Sequence, residues 1–211
     1  PTTSLVSPAV FEDAYEQAVS AGETVIVITI SGKLSGTCQS ARIAAEDYEG
    51  KVFVVDSMNA TIGERILVEY GLQLKDQGKS AEEIVSILEK EKSKIHTMGL
   101  LDTLEYLKKG GRITPAAAAI GTVLNLKPVL QIQGDKLDAY TKTRGMKSAF
   151  KAMCKALDKD LSGRLSALHT QGLLKAGIAY TQMDPDTLEF FKEEMKKRYP
   201  DLELFQLPLT M

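Results

Sequence analysis

The chain has 211 residues, hydrophobic side chains at 44% of its positions and a formal net charge of −2. This composition excludes a disordered chain and predicts a globular protein with one large core or two modest ones. Acidic and basic residues are nearly balanced, so the chain lacks the basic field that attracts phosphates, which excludes nucleic acid as a predicted partner.

The sequence also lacks the patterns of a membrane span, a disulfide scaffold or a metal site. Its longest uncharged apolar stretch, 113–126, is too short to span a bilayer, and the N-terminus has no signal-peptide pattern. Two cysteines without CxxC spacing and two histidines support neither a disulfide scaffold nor a metal site. We therefore expect a soluble, cytoplasmic protein with no cofactor, no metal and no membrane insertion.

The first half of the chain alternates predicted helices and strands. Ser7-Pro8 opens the first helix, and Ser80 begins a capping box that opens the last one. The periodicity of apolar residues predicts two buried strands, 24–30 and 51–56. The predicted helices are 8–21, 39–48, 62–77 and 81–94. This order predicts a parallel sheet with helices on both faces.

The pattern changes near residue 95, where we expect a second unit to begin. Gly134-Asp135 predicts a hairpin turn, and Gly163 is a candidate break in a long helix. The predicted strands are 97–100, 128–133, 136–141, 178–183 and 202–209, and the predicted helices are 102–109, 115–124, 146–171 and 185–199. The prediction is an α/β protein of two packed α/β domains, 1–95 and 96–211, the second with a mixed sheet. We also expect an N-terminal part of the first domain and a C-terminal part of the second to lie outside this sequence.

The segment 31–37, Ser-Gly-Lys-Leu-Ser-Gly-Thr, lies between a predicted parallel strand and a helix. Such a turn exposes backbone N–H groups where the helix dipole favours negative charge, so a carboxylate or a phosphate fits there. The alternative is that Ser35 and Thr37 do no more than cap the helix. The glycine and lysine spacing is not that of a nucleotide-binding P-loop.

A nucleophile at this helix start is a second hypothesis. Ser35 is misplaced for a G-x-S-x-G elbow, and no histidine is an obvious base for it. The helix dipole would favour the Cys38 thiolate, with Arg42 one turn later, although a buried structural thiol is the commoner outcome.

A second dense cluster, 108–115, combines two glycines with Arg112 just before a predicted helix. Ordinary helix caps with solvated cations would explain it equally well. Lys142 and Arg144 add cations at the end of the predicted hairpin, where surface placement is the default.

Together these segments resemble the DegV family of bacterial fatty-acid-binding proteins, the lipid-carrying subunits of fatty acid kinase. The matching motifs, in order, are Thr3-Ser4 with Ser7-Pro8, the 31–37 loop, 104–113 with its Lys-Gly-Gly-Arg-Ile, 124–128 and Lys142-x-Arg144. The chain departs from the family pattern at Cys38, where an aromatic residue is usual, and at Leu5-Val6.

The resemblance implies a long-chain fatty acid as ligand and an ATP-dependent kinase subunit as partner, with no catalytic residue in this chain. Thr3 and Ser35 would hydrogen-bond the carboxylate, and Ser31, Gly36 and Thr37 would shape the loop. The basic residues beside the head group would be Arg112 and Arg144. Candidate walls of the acyl-chain pocket, which could equally be ordinary core, are Leu101, Leu104, Ala117, Ile120, Leu124 and Leu130.

Two other function classes remain open at this point. One is a small-molecule hydrolase or transferase that uses Ser35 or Cys38 at the helix N-terminus. The other is an interaction or regulatory protein whose cleft is vestigial.

Overall fold

The computed structural model describes residues 3–113, 126–133, 136–170, 174–181 and 183–208. The chain divides into two compact units, Pro1–Lys142 and Thr143–Met211, which are described separately. The domain boundary predicted near residue 95 stays a prediction.

Helices and strands follow the predicted order. Those of the first unit are α1 (Pro8–Ser20), β1 (Val25–Thr29), α2 (Thr37–Ala45), β2 (Val52–Asp56), α3 (Ile62–Asp76), α4 (Ala81–Glu91), β3 (Thr97–Leu100), α5 (Glu105–Lys109), β4 (Leu126–Gln133) and β5 (Lys136–Arg144), the last of which ends in the second unit. The second unit continues with α6 (Met146–Ser162), α7 (Ser166–Thr170), β6 (Lys175–Tyr180), α8 (Pro185–Arg198) and β7 (Glu203–Pro208). Short 3-10 turns at Glu46–Tyr48 and Lys92–Lys94 extend α2 and α4.

Strands β1 and β2 pair in parallel, with Val27 opposite Val54 and Thr29 opposite Asp56. Side chains alternate across the sheet, so Val25 and Val27 pack in a cluster with α1 and α2, whereas Ile26 and Ile28 pack with α3 and α4. This confirms the predicted parallel sheet with helices on both faces. Residues Val25–Ile28 are half-buried rather than fully buried, unlike the prediction from their β-branched run.

The helix starts in the first unit follow their local sequence signals. Ser80 Oγ accepts from Glu83 N at 3.3 Å while Glu83 Oε2 accepts from Ser80 N at 2.9 Å, which confirms the capping box. Pro8 opens α1, and Gly22 follows its end with a φ of 82°, a conformation that glycine adopts readily.

The start of α5 corrects the predicted helix 102–109. Thr103 Oγ1 accepts from Glu105 N at 3.1 Å, and the Asp102 carboxylate pairs with Lys127 Nζ at 2.6 Å. Helical structure therefore begins at Glu105, because the polar side chains before it bind backbone and lysine in a non-helical conformation.

Strands β3, β4 and β5 lie in that order in one sheet, with β3 and β4 antiparallel. Leu104, Ile113 and Leu130 form a buried cluster with this sheet. The predicted hairpin turn at Gly134-Asp135 and the predicted helix 115–124 lie outside the described residues.

In the second unit, Gly163 ends α6, so the predicted helix 146–171 is two helices. A side chain at Gly163 would place its Cβ 2.8 Å from the Lys159 carbonyl oxygen, which explains the glycine. Asp184 caps α8 by accepting from Thr187 N at 2.9 Å. Strands β6 and β7 pair in parallel. The described residues after residue 95 therefore form two sheets, the β3–β4–β5 sheet with antiparallel β3–β4 pairing and the parallel β6–β7 sheet.

Candidate functional site

The 31–37 loop leaves the carboxyl end of β1 and enters α2, as predicted. Ser31 is fully buried and donates its N–H to the Asn59 carbonyl oxygen at 2.8 Å. Its own carbonyl oxygen accepts from Leu34 N at 2.9 Å and from Ser35 N at 3.1 Å, and its Oγ accepts from Lys33 N at 3.2 Å. Every polar atom of Ser31 is therefore used within the loop or against the neighbouring loop, which fits a residue that shapes the backbone.

Ser35 and Thr37 form a pair of hydroxyls at the start of α2. Ser35 Oγ lies 2.9 Å from Thr37 Oγ1 and accepts from Thr37 N, the first amide of α2, at 3.2 Å, from the position before the N-cap Gly36. The two hydroxyls carry two protons, and the hydrogen bond between them uses one. The other proton, which has no acceptor among the described residues, can be donated to a carboxylate.

The first turn of α2 adds backbone donors beside this pair. Ser40 N already bonds the Gly36 carbonyl oxygen at 3.0 Å. In the described ranges, the Cys38 and Gln39 N–H groups have no acceptor, which is the usual state of the first amides of a helix. Two amides and one hydroxyl thus point their hydrogens out of a positive helix terminus, an arrangement that binds small anions.

The N-terminal segment, which contains Thr3, lies against this loop at two points. Val6 N donates to Thr37 Oγ1 at 3.4 Å, and Leu5 packs so closely on Gly36 that a Cβ there would lie 2.8 Å from Leu5 Cδ2. A side chain at Gly36 would therefore displace the exposed Leu5 side chain. Thr3 itself is exposed.

Arg112 reaches the same loop from the Gly-Gly turn after α5. Its Nε donates to the Leu34 carbonyl oxygen at 3.0 Å, and its Nη1 donates to the Gly110 carbonyl oxygen. Gly111 adopts a φ of 70°, which the turn needs for Arg112 to fold back. The half-buried guanidinium thus braces the loop beside the helix terminus.

The remaining predicted residues lie elsewhere in the molecule. Arg144 is exposed at the last position of β5. Leu101, Leu104 and Leu130 pack against one another in one hydrophobic cluster, so they are core residues, and a role as pocket walls stays a prediction. Ala117, Ile120 and Leu124 lie outside the described residues.

Sequence reasoning missed a polar group on the adjoining loop, 56–61. Asp56 Oδ2 accepts from Gly32 N at 3.1 Å, and Asp56 Oδ1 accepts from Met58 N at 2.8 Å. Buried Asn59 accepts from Thr97 Oγ1 at 2.8 Å. The available signal was the position of Asp56 at the end of a parallel strand, because strand ends at one sheet edge converge on binding sites.

This second loop is also strained. Met58 and Thr61 have φ values of 55° and 52°, in the left-handed region that disfavours β-branched and bulky side chains. Strain of this kind accumulates where the surrounding structure over-determines the backbone, often beside functional sites.

A pocket of about 200 Å³ opens between the two loops and the first turns of α2. Its lining residues are Gly32, Lys33, Cys38, Gln39, Arg42 and Asp56. Cys38 is 2% exposed, and the hydrogen-bond partner of Ser35 Oγ is a threonine rather than an imidazole. The nucleophile hypothesis therefore gains no activating group from the described residues.

Two ionisable groups near these loops have displaced pKa values. Burial, with a smaller contribution from the Cys38 thiol, raises the pKa of Tyr15 to about 12, so its neutral hydroxyl donates to the Ala41 carbonyl oxygen at 3.3 Å and supports α2. Burial likewise raises the pKa of Glu64 in the first turn of α3. In the described ranges, no His, Cys, Asp or Glu cluster suits a metal ion, and no helix is long and apolar enough to cross a bilayer.

Comparison with known proteins gives matches over the whole chain. A family model described as "Uncharacterised protein, DegV family" matches residues 1–211. A DegV domain-containing protein of Deinococcus radiodurans is 41% identical over 149 residues, which are 71% of this chain and 53% of that protein. One from Clostridium perfringens is 34% identical over 206 residues, which are 95% of this chain and 68% of that protein. The chain thus spans little more than half of the first relative and about two thirds of the second.

Solved structures share the fold. A DegV family protein from Thermus thermophilus, described by its fatty acid binding, has a TM-score of 0.82 and 33% identity, and the match covers 99% of this chain and 72% of that one. The Fatty Acid Kinase B3 protein of Streptococcus pneumoniae, loaded with linoleic acid, has a TM-score of 0.77 and 25% identity, and the match covers 97% and 70% of the two chains. The predicted α/β fold is confirmed, and the family model's match over all 211 residues shows that this chain belongs to the DegV family.

Proposed function

We propose that this chain binds a long-chain fatty acid and presents its carboxylate to an ATP-dependent fatty acid kinase subunit, which forms the acyl phosphate. The fatty acid binding of the Thermus protein and the linoleic acid in the pneumococcal protein support the ligand class. The description of the latter as a fatty acid kinase protein supports the kind of partner. Because the partner uses ATP, we place the reaction in the cytoplasm.

The observation that carries this proposal is the hydroxyl pair at the start of α2. Ser35 Oγ and Thr37 Oγ1 lie 2.9 Å apart, and beside them the Cys38 and Gln39 amides open the helix. A carboxylate has two oxygens that each accept hydrogen bonds, so hydroxyl and amide donors at a positive helix terminus are complementary to it.

In this proposal the predicted site residues keep separate roles. Thr3 and Ser35 hydrogen-bond the carboxylate, while Ser31, Gly36 and Thr37 hold the loop in shape. Arg112 and Arg144 act on the head group or on the kinase partner. The acyl tail contacts apolar side chains from the predicted set, Leu101, Leu104, Ala117, Ile120, Leu124 and Leu130.

The acyl tail and the carboxylate contribute very different amounts of binding free energy. Burial of a sixteen-carbon tail at about 0.8 kcal/mol per methylene contributes on the order of 10 kcal/mol before ordering costs. A carboxylate at a helix terminus adds about 0.3–2 kcal/mol. The tail therefore supplies the affinity, and the loop supplies orientation.

A carrier of this kind needs no base of its own for the transfer. A fatty acid carboxyl is ionised at neutral pH, because carboxyl pKa values lie near about 4. One carboxylate oxygen attacks the γ-phosphorus of ATP on the partner, a P–O bond to ADP breaks, and the acyl phosphate forms. This chain has to hold the carboxylate accessible and correctly oriented.

The test is mass spectrometry of small molecules extracted from the freshly purified chain, with a mock purification as control. A stoichiometric long-chain fatty acid supports the proposal and identifies the chain length. A delipidated protein that takes up no palmitic acid in solution contradicts it. Addition of an ATP-dependent fatty acid kinase subunit then tests the second half, since acyl phosphate is trapped as its hydroxamate.

A further inference from the structure

Asp56 lies where the two loops of the candidate site meet. It is the last residue of β2 and stands opposite Thr29, the last residue of β1, in the parallel register. Each oxygen of the half-buried carboxylate accepts one backbone hydrogen bond. Oδ2 accepts from Gly32 N at 3.1 Å, and Oδ1 accepts from Met58 N at 2.8 Å. One side chain therefore holds the first turn of both loops.

The Gly32 backbone lies very close to the Asp56 carboxylate. A Cβ on Gly32 would lie 2.8 Å from Asp56 Oδ2, so any side chain at this position would displace the carboxylate. The next contact between the loops is backbone to backbone, from Ser31 N to the Asn59 carbonyl oxygen at 2.8 Å. The Asp56–Gly32 bond is thus the side-chain contact that fixes where the 31–37 loop starts.

The start of the loop determines where the donors at its end lie. The Ser31 carbonyl oxygen accepts from both Leu34 N and Ser35 N, which makes 31–35 one closed turn. A displacement at Gly32 is therefore transmitted to Ser35 and to the first amides of α2.

From this geometry we infer that Asp56 is a positioning residue, which sets the carboxylate donors of the 31–37 loop through its bond to Gly32 N. Asp56 also lines the pocket, but a carboxylate side chain repels an anionic head group, so Asp56 acts through the loop and not by a bond to the ligand. The inference rests on the proposed function, because the donors that it positions are those proposed to bind a fatty acid.

The experiment compares two ligands with the same tail, palmitic acid and hexadecanol, on delipidated wild-type protein and on Asp56→Asn. The amide has one acceptor oxygen in place of two, so Gly32 N or Met58 N loses its partner. We expect the dissociation constant for palmitic acid to rise about tenfold, the scale of one lost hydrogen bond to a charged group, against the opposing relief of charge repulsion, with that for hexadecanol unchanged. Asp76→Asn is the matched control, since it removes an exposed carboxylate of the same unit.

Gly32→Ala tests the same hydrogen bond by changing the residue that donates it. This variant replaces Asp56→Asn in the experiment if Asp56→Asn does not fold. The added methyl displaces the Asp56 carboxylate without changing any charge. Because both variants break one contact, the double variant should lose no more preference for palmitic acid than either single variant.

The outcomes are distinct. Loss of the preference for palmitic acid over hexadecanol, in either variant and non-additively, supports the inference. An undiminished preference in both variants, or equal weakening of both ligands, overturns it and leaves the proposed function standing. A wild-type protein that binds neither ligand overturns the proposed function and the positioning role together.

Discussion

Arg112 donates from Nε to the Leu34 carbonyl oxygen at 3.0 Å, across 78 positions of sequence. This bond joins the two motifs that the sequence presents separately, the Gly-Gly-Arg turn and the hydroxyl-rich loop. Asp56 holds the same loop at Gly32 from the other strand end. The loop is therefore held on both sides of Lys33 by side chains from distant segments.

Replacement of Arg112 by lysine should loosen the loop while keeping the charge. Lysine cannot reproduce the fixed geometry of Nε, so the Leu34 carbonyl oxygen loses its donor. We expect the Leu34 and Ser35 amides to exchange with solvent about tenfold faster, as for the loss of one hydrogen bond to a charged group. Hydrogen exchange by NMR measures this. Arg65→Lys, at a surface pair with Glu69, is the control, and identical exchange in both variants would contradict a bracing role.

Two serines whose hydroxyls accept a backbone N–H at a helix start allow helix stabilisation to be separated from ligand binding. Ser35 Oγ accepts from Thr37 N at 3.2 Å, and Ser80 Oγ accepts from Glu83 N at 3.3 Å. Ser80→Ala removes an N-cap and should lower the free energy of unfolding by about 0.5–2 kcal/mol. Ser35→Ala removes one hydrogen bond and should lower it by about 0.5–1.5 kcal/mol. Ser35→Ala should also weaken palmitic acid binding about three- to tenfold, through loss of one hydrogen bond. Urea unfolding and ligand titration measure the two effects, and equal binding by both variants would leave Ser35 with a structural role alone.

Two glycines of α3 should respond oppositely to alanine. At Gly63 the new Cβ would lie 2.3 Å from Thr97 Oγ1 and 2.5 Å from Asn59 Oδ1, so the two hydrogen-bonded side chains would have to move. We expect Gly63→Ala to destabilise the protein by about 1–3 kcal/mol. At Gly71 the nearest atom is Leu88 Cδ1 at 3.4 Å, so Gly71→Ala should stabilise the helix by up to about 1 kcal/mol. Thermal unfolding of both variants measures the two changes in stability. A stabilised Gly63→Ala would contradict the described packing.

Asp158 should make the second unit sensitive to acid. Hydrogen bonds from Arg198, and a further one from Tyr199 Oη at 2.7 Å, hold the pKa of Asp158 below its usual 3.8. A lowered pKa in the folded state means that the stabilisation is present above the unfolded-state pKa and is lost as pH falls through the folded-state pKa.

We therefore expect the free energy of unfolding to fall from about pH 5 towards pH 2, and to fall less steeply in Asp158→Asn. Urea unfolding at a series of pH values measures the slope. Asp201→Asn, at an exposed position of the same unit, controls for the loss of one negative charge. A variant slope equal to that of the wild type would show that Asp158 does not contribute to acid sensitivity.

The order of the helices and strands was predictable because the signals that set it act over a few residues. The Ser80 capping box, Pro8 and the continuous β-branched run of β1 are local signals, and the structure follows them. The predicted start of α5 was wrong, since Asp102 pairs with Lys127, a residue 25 positions away that local pattern does not reveal.

The composition of the candidate site, a strand-to-helix loop rich in hydroxyls and glycine, is visible in the local sequence, as is the family resemblance that the family model confirms. Tertiary structure determines how that loop is held, because Asp56 and Arg112 contact it only once β2 and the Gly-Gly turn have packed beside it. It also decided that Leu104 and Leu130 meet in one core cluster. An apolar residue carries no sign of which distant partner it will bury against, since hydrophobic attraction is non-directional.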